Sequence, residues 1–126
     1  MNSGNIEQIT ADTAEVIRRF NDVFQRHDPS ELPALIAEDC VIENTTPAPN
    51  GGRLVGRDAC VANWRHLATA PGTYFEFEDL FVAGDRAVIR WRYCFGEGEA
   101  DSMRGVNLMR VRDGLIVEAM GYVKGK

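Results

Sequence analysis

At 126 residues with a formal net charge of -5, the chain amounts to a single domain, residues 1–126, large enough to bury roughly two-thirds of its unfolded surface without staples. Its 44% hydrophobic and 26% charged content is ordinary for a globular protein, and the acidic balance excludes nucleic acid and anionic membranes as natural partners, since both need a concentrated basic patch. Cys40, Cys60 and Cys94 have no metal-ligand spacing and sit among apolar neighbours, so they read as buried thiols in a reducing, cytoplasmic compartment, with no metal or cofactor implied. The N-terminus lacks a basic-then-apolar leader, and no apolar run approaches the length of a membrane span.

Residues 1–8 are mostly polar and expected to fray. From about Thr10 to His27, Val16, Ile17, Phe20, Val23 and Phe24 recur on one helical face. Asp28-Pro29-Ser30-Glu31 then predicts a second, short helix, with Asp28 as cap, Pro29 at its first position and Glu31 completing a capping box. It ends near Glu38-Asp39, where Cys40–Asn44 takes over as a strand. Thr45 to Gly52 is a loop by composition. A third helix, about Arg57 to Thr69, carries a stripe of Cys60, Val61, Trp64, Leu67 and Ala68.

Four long strands follow: Tyr74–Val82, Ala87–Phe95, Met103–Val111 and Leu115–Val123, the last two joined by an Asp113-Gly114 turn. Helices first and strands afterwards make an α+β layer rather than an alternating α/β fold. The expected architecture is a cone-shaped, curved antiparallel or mixed sheet wrapped around three N-terminal helices and enclosing a pocket.

The strand around Trp91 indicates which side chains face that interior. Its odd positions are apolar or aromatic and its even positions include Arg90 and Arg92, so Trp91, Tyr93 and Phe95 share the inner face. The same parity places Asn107 and Met109 inward on the next strand, and Val117, Ala119 and Gly121 on the last. Asn107 is then a polar group on an apolar face, bonded to protein or to a ligand, because a buried amide without partners costs roughly 1–3 kcal/mol. With Tyr93 it is suited to polarise a carbonyl. Asp79 shares the parity row of Phe75, Phe77 and Phe81. Facing inward it would be a general base; a β-bulge would turn it out to solvent. Phe20 and Trp64 read as core or pocket walls, His66 as exposed and His27 as structural.

By the same parity the outer face holds Val88, Arg90, Arg92, Cys94, Val106, Leu108, Arg110, Ile116, Glu118, Met120 and Tyr122. Aliphatics mixed with arginines and an acid have the composition of a subunit interface. The expectation is a homodimer packed sheet against sheet, with Arg90 or Arg92 near the partner's Glu118.

In order and spacing the chain resembles the nuclear transport factor two-like superfamily, within it the SnoaL-like and ketosteroid-isomerase-like proteins. The resemblance rests on Phe20 through Asp28-Pro29, Ala37–Glu43, Gly56-Arg57-Asp58 leading to Trp64, Gly84–Val88 and Arg110–Glu118. It implies an inward-facing Asn44 where ketosteroid isomerases carry their aspartate base, Phe20 in place of their donor tyrosine, and Asn107 near their protonated aspartate. It also implies that the arginine and aspartates of limonene-type epoxide hydrolases are replaced by Trp91, Tyr93 and Gly121. The aspartate and histidine of SnoaL-type cyclases have no counterpart, since neither histidine lies in the sheet.

Two functions remain open. One is a cofactor-independent isomerase, cyclase or lyase for an apolar, carbonyl-bearing molecule, with Asp79, Tyr93 and Asn107 as catalytic residues and Phe20, Asn44, Trp64, Trp91, Phe95 and Met109 binding the ligand. The other is a non-catalytic homodimeric pocket protein for such a hydrophobic molecule. The orientation of Asp79 separates them; a dimerisation module with a filled interior is a third possibility.

Overall fold

The computed structural model describes residues 4–125. Helix α1 (Gly4–Gln25) starts earlier than its apolar stripe suggests, so residues 4–8 are helical rather than frayed; residues 1–3 lie outside the described residues. Its buried face runs from Thr13 and Ala14 through Ile17, Phe20 and Phe24. The helix closes with His27 in the left-handed region (φ 54°), the Asp28 N–H donating back to the Val23 carbonyl at 3.0 Å. The His27 Nδ1 lies 3.0 Å from the Ala68 carbonyl oxygen, which can only accept, so that nitrogen carries the proton and ties α1 to the third helix.

Asp28 caps as expected, accepting from the Ser30 N–H at 3.0 Å, but what it starts is one turn of 3-10 helix, Pro29–Glu31, followed by the four-residue α2 (Leu32–Leu35). Glu31 completes no capping box; it pairs with Arg19 at 2.9 Å. Proline at 33 shortens the helix, and strand β1 (Ile36–Glu43) begins well before Cys40. Then come β2 (Arg53–Val55), α3 (Arg57–Thr69), β3 (Tyr74–Ala83), β4 (Arg86–Cys94), β5 (Ser102–Arg112) and β6 (Leu115–Val123).

The strands form one six-stranded mixed sheet in the order β2-β1-β6-β5-β4-β3, open at both edges, with β1 parallel to β6 and every other pair antiparallel. Three helices and a curved mixed sheet around one core make this the α+β cone expected of the chain. The β5–β6 turn is of the Asp-Gly kind, with Asp113 (φ 53°) and Gly114 (φ 77°) both left-handed.

Two bulges modify the alternation. In β3 the register against β4 slips by one residue between Phe77 and Asp79, leaving Glu78 as the extra residue. Downstream of it Leu80 and Val82 face inward, opposite Ile89 and Ala87, while Asp79 and Phe81 face outward, opposite Arg90 and Val88. In β6 the slip beside Val111 makes Val117 the extra residue, so Ile116 pairs with Val111 and is fully buried instead of lying on the outer face. Strand β4 has no such slip against β5, and its parity holds to Cys94.

Candidate functional site

At the open end of the cone lies a cavity of about 340 Å³, within the usual range for small-molecule sites. Its apolar wall is a run of rings contributed by two helices and the sheet. Phe20 meets Trp64 edge-on at 4.8 Å and Phe24 at 5.0 Å; Phe24 meets Phe75 at 5.4 Å; and Phe75 touches both Trp91 (5.4 Å) and Tyr93 (4.6 Å). Such contacts add roughly 0.5–1.5 kcal/mol each beyond area burial, which holds the wall rigid.

The polar groups are amides, hydroxyls and one acid. Asn44, just past β1, and Asn63 on α3 exchange two hydrogen bonds of 3.1 and 3.2 Å. Asn107 on β5 accepts from the Trp91 indole N–H at 3.3 Å. Asn21, Thr45, Thr46 and Tyr93 complete the polar lining. The loop behind Asn44 folds back on it: the Asn44 N–H donates to the Gly52 carbonyl at 2.8 Å, and a Cβ on Gly51 would stand 1.8 Å from the Asn44 carbonyl oxygen, so only glycine allows the return. Glu43 also borders the cavity, but it follows the inward Ile42 on the strand and its carboxylate is held by Arg53 at 3.0 Å.

Phe20, Asn44, Trp64, Trp91, Tyr93 and Asn107, singled out in the sequence, all line this cavity. Phe95 and Met109 do not. Strand β4 ends at Cys94, so Phe95 leaves the alternation and is exposed beside Tyr93. Met109 faces inward, but at the closed end between Ala87 and Ala119, where it is buried in the core.

Asp79 requires the main correction. The bulge turns it outward, its side chain is 59% exposed, and its carboxylate lies 3.9 Å from Arg90 and accepts from the Leu80 N–H at 2.9 Å. A second depression, between α1 and β3, reaches Asp79, but the aromatic cavity does not. It cannot act as base for a ligand among Trp64, Trp91 and Asn107. Among the described residues, the lining contains no histidine, aspartate or cysteine.

The thiols offer no nucleophile there. Burial pushes Cys40 well above its ordinary range and raises Cys60, and the Cys60 Sγ donates to the Cys40 carbonyl at 3.6 Å. Burial raises Cys94 too, its Sγ lying 3.4 Å from Glu76 Oε1. No group of three or more histidine, cysteine or acidic side chains among the described residues is arranged to hold a metal ion, and no helix among them is long and apolar enough to cross a membrane.

Sequence reading missed Asn63 and Asn21. Each lies at the margin of a helical stripe rather than on its crest: Asn63 is three residues after Cys60 and four before Leu67, and Asn21 is four after Ile17 and three before Phe24. A polar residue at such a margin is the available signal for a helix that borders a cavity.

A helical layer against a cone-shaped mixed sheet, with a cavity at the wide end, defines the SnoaL-like class of α+β protein. The family model for the SnoaL-like domain matches residues 17–119, and the chain belongs to that family. An NTF2-like protein of unknown function from Mesorhizobium loti is 67% identical, with a TM-score of 0.88 over 92% of this chain and 93% of that one. More distant folds include a steroid delta-isomerase from Pseudomonas aeruginosa (20% identical, TM-score 0.75, 91% of this chain and 81% of that one) and an LEH-like epoxide hydrolase from Mycobacterium tuberculosis (18%, 0.72, 91% and 80%). At that identity the likeness concerns the fold alone. No curated protein matches the sequence.

Proposed function

We propose that the cavity binds a neutral, largely apolar small molecule carrying a carbonyl, and that the protein acts as a ligand-binding homodimer rather than an acid–base enzyme. The observation that carries this reading is the lining: six aromatic side chains and four asparagines, with its one carboxylate, Glu43, tied to an arginine. Burying an unpaired charge against such a wall is prohibitive, so a neutral ligand is favoured. General acid–base chemistry needs a titratable group within reach of the ligand, and the acid proposed for that role points to solvent. A cofactor-independent isomerase or cyclase reading survives only as electrophilic assistance by Asn107 and Tyr93, both of which line the cavity.

Both tryptophans of the chain line the cavity, which makes a direct test. Titration with 2-decalone is expected to change tryptophan emission saturably, and Ala119→Phe, which fills the space, is expected to abolish the change while the circular dichroism spectrum is kept. No saturable change in the wild type would refute the binding reading.

The dimer reading rests on the outer face. The β3 bulge sends Phe81 outward, where it joins Val88, Leu108 and Met120 in one cross-strand row over four strands. Phe81 is 66% exposed and Leu108 43%, and Tyr122 of the neighbouring row 56%. An apolar stripe of this kind, flanked by ion pairs such as Arg104–Glu78 (3.1 Å) and Arg110–Asp85 (3.2 Å), suits a second copy of the chain. Arg90 already has Asp79, and Arg92 donates to Ser102 Oγ at 3.0 Å, so the apolar row and not an Arg–Glu118 contact is taken as the anchor. Light scattering at micromolar concentration should give twice the chain mass and Leu108→Arg the monomer; a monomeric wild type refutes it. Three free cysteines fit a reducing, cytoplasmic location, which we propose on that basis.

A further inference from the structure

We infer that Trp91 is a positioning residue that fixes which end of the Asn107 amide faces the ligand, so that the cavity selects a hydrogen-bond acceptor at that point. The inference rests on the ligand-binding reading above and specifies the class of ligand. An asparagine amide can present either its oxygen or its NH2 group, and geometry alone does not distinguish them. Here chemistry does. An indole N–H can only donate, so the atom 3.3 Å from Trp91 Nε1 must be the Asn107 oxygen. Turned over, the amide would set N–H against N–H and lose the bond.

The ring is held where it makes this contact. Phe75 packs edge-on against it at 5.4 Å and 85°. Beneath it is Gly105, its cross-strand neighbour on β5, where a Cβ would come within 2.7 Å of Trp91 Cη2 and 2.9 Å of Cζ2. Across from Asn107 is Gly121, which contributes no side chain to cover the amide; a Cβ there would lie 3.4 Å from Asn107 Oδ1 and 2.9 Å from Thr45 Cγ2. The indole contact is the amide's one side-chain hydrogen bond among the described residues, and no buried side-chain nitrogen or oxygen there lacks a partner, so the Asn107 NH2 opens onto the cavity it lines. Tyr93 both donates and accepts and makes no such choice. Asn107, locked by Trp91, turns its two N–H groups toward the ligand while its oxygen is engaged by the indole.

Two bicyclic probes of similar size test this: 1-indanone, which only accepts, and indole, which only donates, with affinities measured by calorimetry. The wild type should bind 1-indanone roughly three- to tenfold more tightly than indole, the worth of one hydrogen bond. Trp91→Phe, which keeps a ring but frees the amide to turn, should bring the ratio close to one, as should Asn107→Leu. An unchanged ratio in Trp91→Phe, or a wild type that prefers indole, overturns the inference. A ligand-free measurement separates the two levels of the argument. The Trp91 indole N–H resonance, assigned by its loss in Trp91→Phe, should exchange with solvent about tenfold faster in Asn107→Leu than in the wild type. Unchanged exchange overturns the positioning role while leaving the pocket reading intact. A wild type that binds neither probe at millimolar concentration, with the indole N–H protected, refutes the pocket reading and the selectivity with it, but not the Trp91–Asn107 contact.

Discussion

The inner face of the sheet is built from the same strands at both ends, yet one end is solid and the other hollow. At the closed end Ala87, Met109, Val111 and Ile116 stack across β4, β5 and β6, all buried, and α2 supplies Leu32 and Leu35. At the open end the same rows carry Trp91, Tyr93, Gly105, Asn107 and Gly121, all partly exposed. Aliphatic side chains of middling size interlock and leave no gap. Rings set beside glycines cannot, because a large flat group occupies space its neighbour vacated and leaves the rest empty. Alternation decides which residues face inward; the order of sizes along the face decides whether the inside is filled.

The largest expected effect breaks the comparison at the closed end. Ile116→Ala should lose about 2–5 kcal/mol in urea unfolding, whereas Tyr93→Phe at the open end should change stability by no more than about 0.5 kcal/mol. Equal losses would mean that the open end is as well packed as the core.

Alkaline unfolding sharpens the same contrast. Burial raises the Cys40 and Cys60 thiols above the 9.0 of a free cysteine. The unfolded chain therefore loses those protons first, so the contribution is intact below about pH 9 and stability falls as pH climbs beyond it toward the folded values. Replacing both with serine or alanine should flatten that decline, measured as the urea midpoint against pH.

Ligand affinity should respond in the opposite place. Asn107→Leu is expected to weaken 2-decalone by roughly 2- to 12-fold, as the loss of one net hydrogen bond implies, while Ile116→Ala leaves the affinity nearly unchanged. Asp79→Asn, on the outer face, should alter stability by under about 0.5 kcal/mol and binding not at all. A lost affinity in Asp79→Asn would put that acid back at the site. The smallest effect concerns Asp39, whose carboxyl Arg112 holds below its usual 3.8 through a 2.8 Å hydrogen bond. Arg112→Ala should let it titrate closer to 3.8, read by NMR, and the interaction should disappear in the parent as pH falls through the depressed value.

The fold was legible because β4, α1 and α3 obey their periods without interruption: the Trp91 strand alternates cleanly to Cys94, and the stripes of α1 and α3 bury all but Leu67 of the residues their spacing selects. The bulges were harder to see. In β3, apolar side chains fall on both parities, with Phe77 and Phe81 on one and Leu80 and Val82 on the other, so composition cannot locate the slip. The one local hint was Asp79 itself, a poor strand former that bonds the backbone N–H next to it. In β6 Ile116 and Val117 are equally apolar, and which of them belongs to the core depends on pairing with Val111. Phe95 and Met109 were misplaced for a related reason. Parity gives a face, and neither the end of a strand nor the boundary between packed and hollow regions is written in it.

The most direct test is a crystal structure grown with a brominated cyclic ketone. One anomalous bromine peak per chain is expected inside the ring of Phe20, Trp64, Phe75 and Trp91, with the carbonyl oxygen at hydrogen-bond distance from Asn107 Nδ2. A cavity collapsed around Trp91, or bromine found only on the outside of the cone, would contradict it.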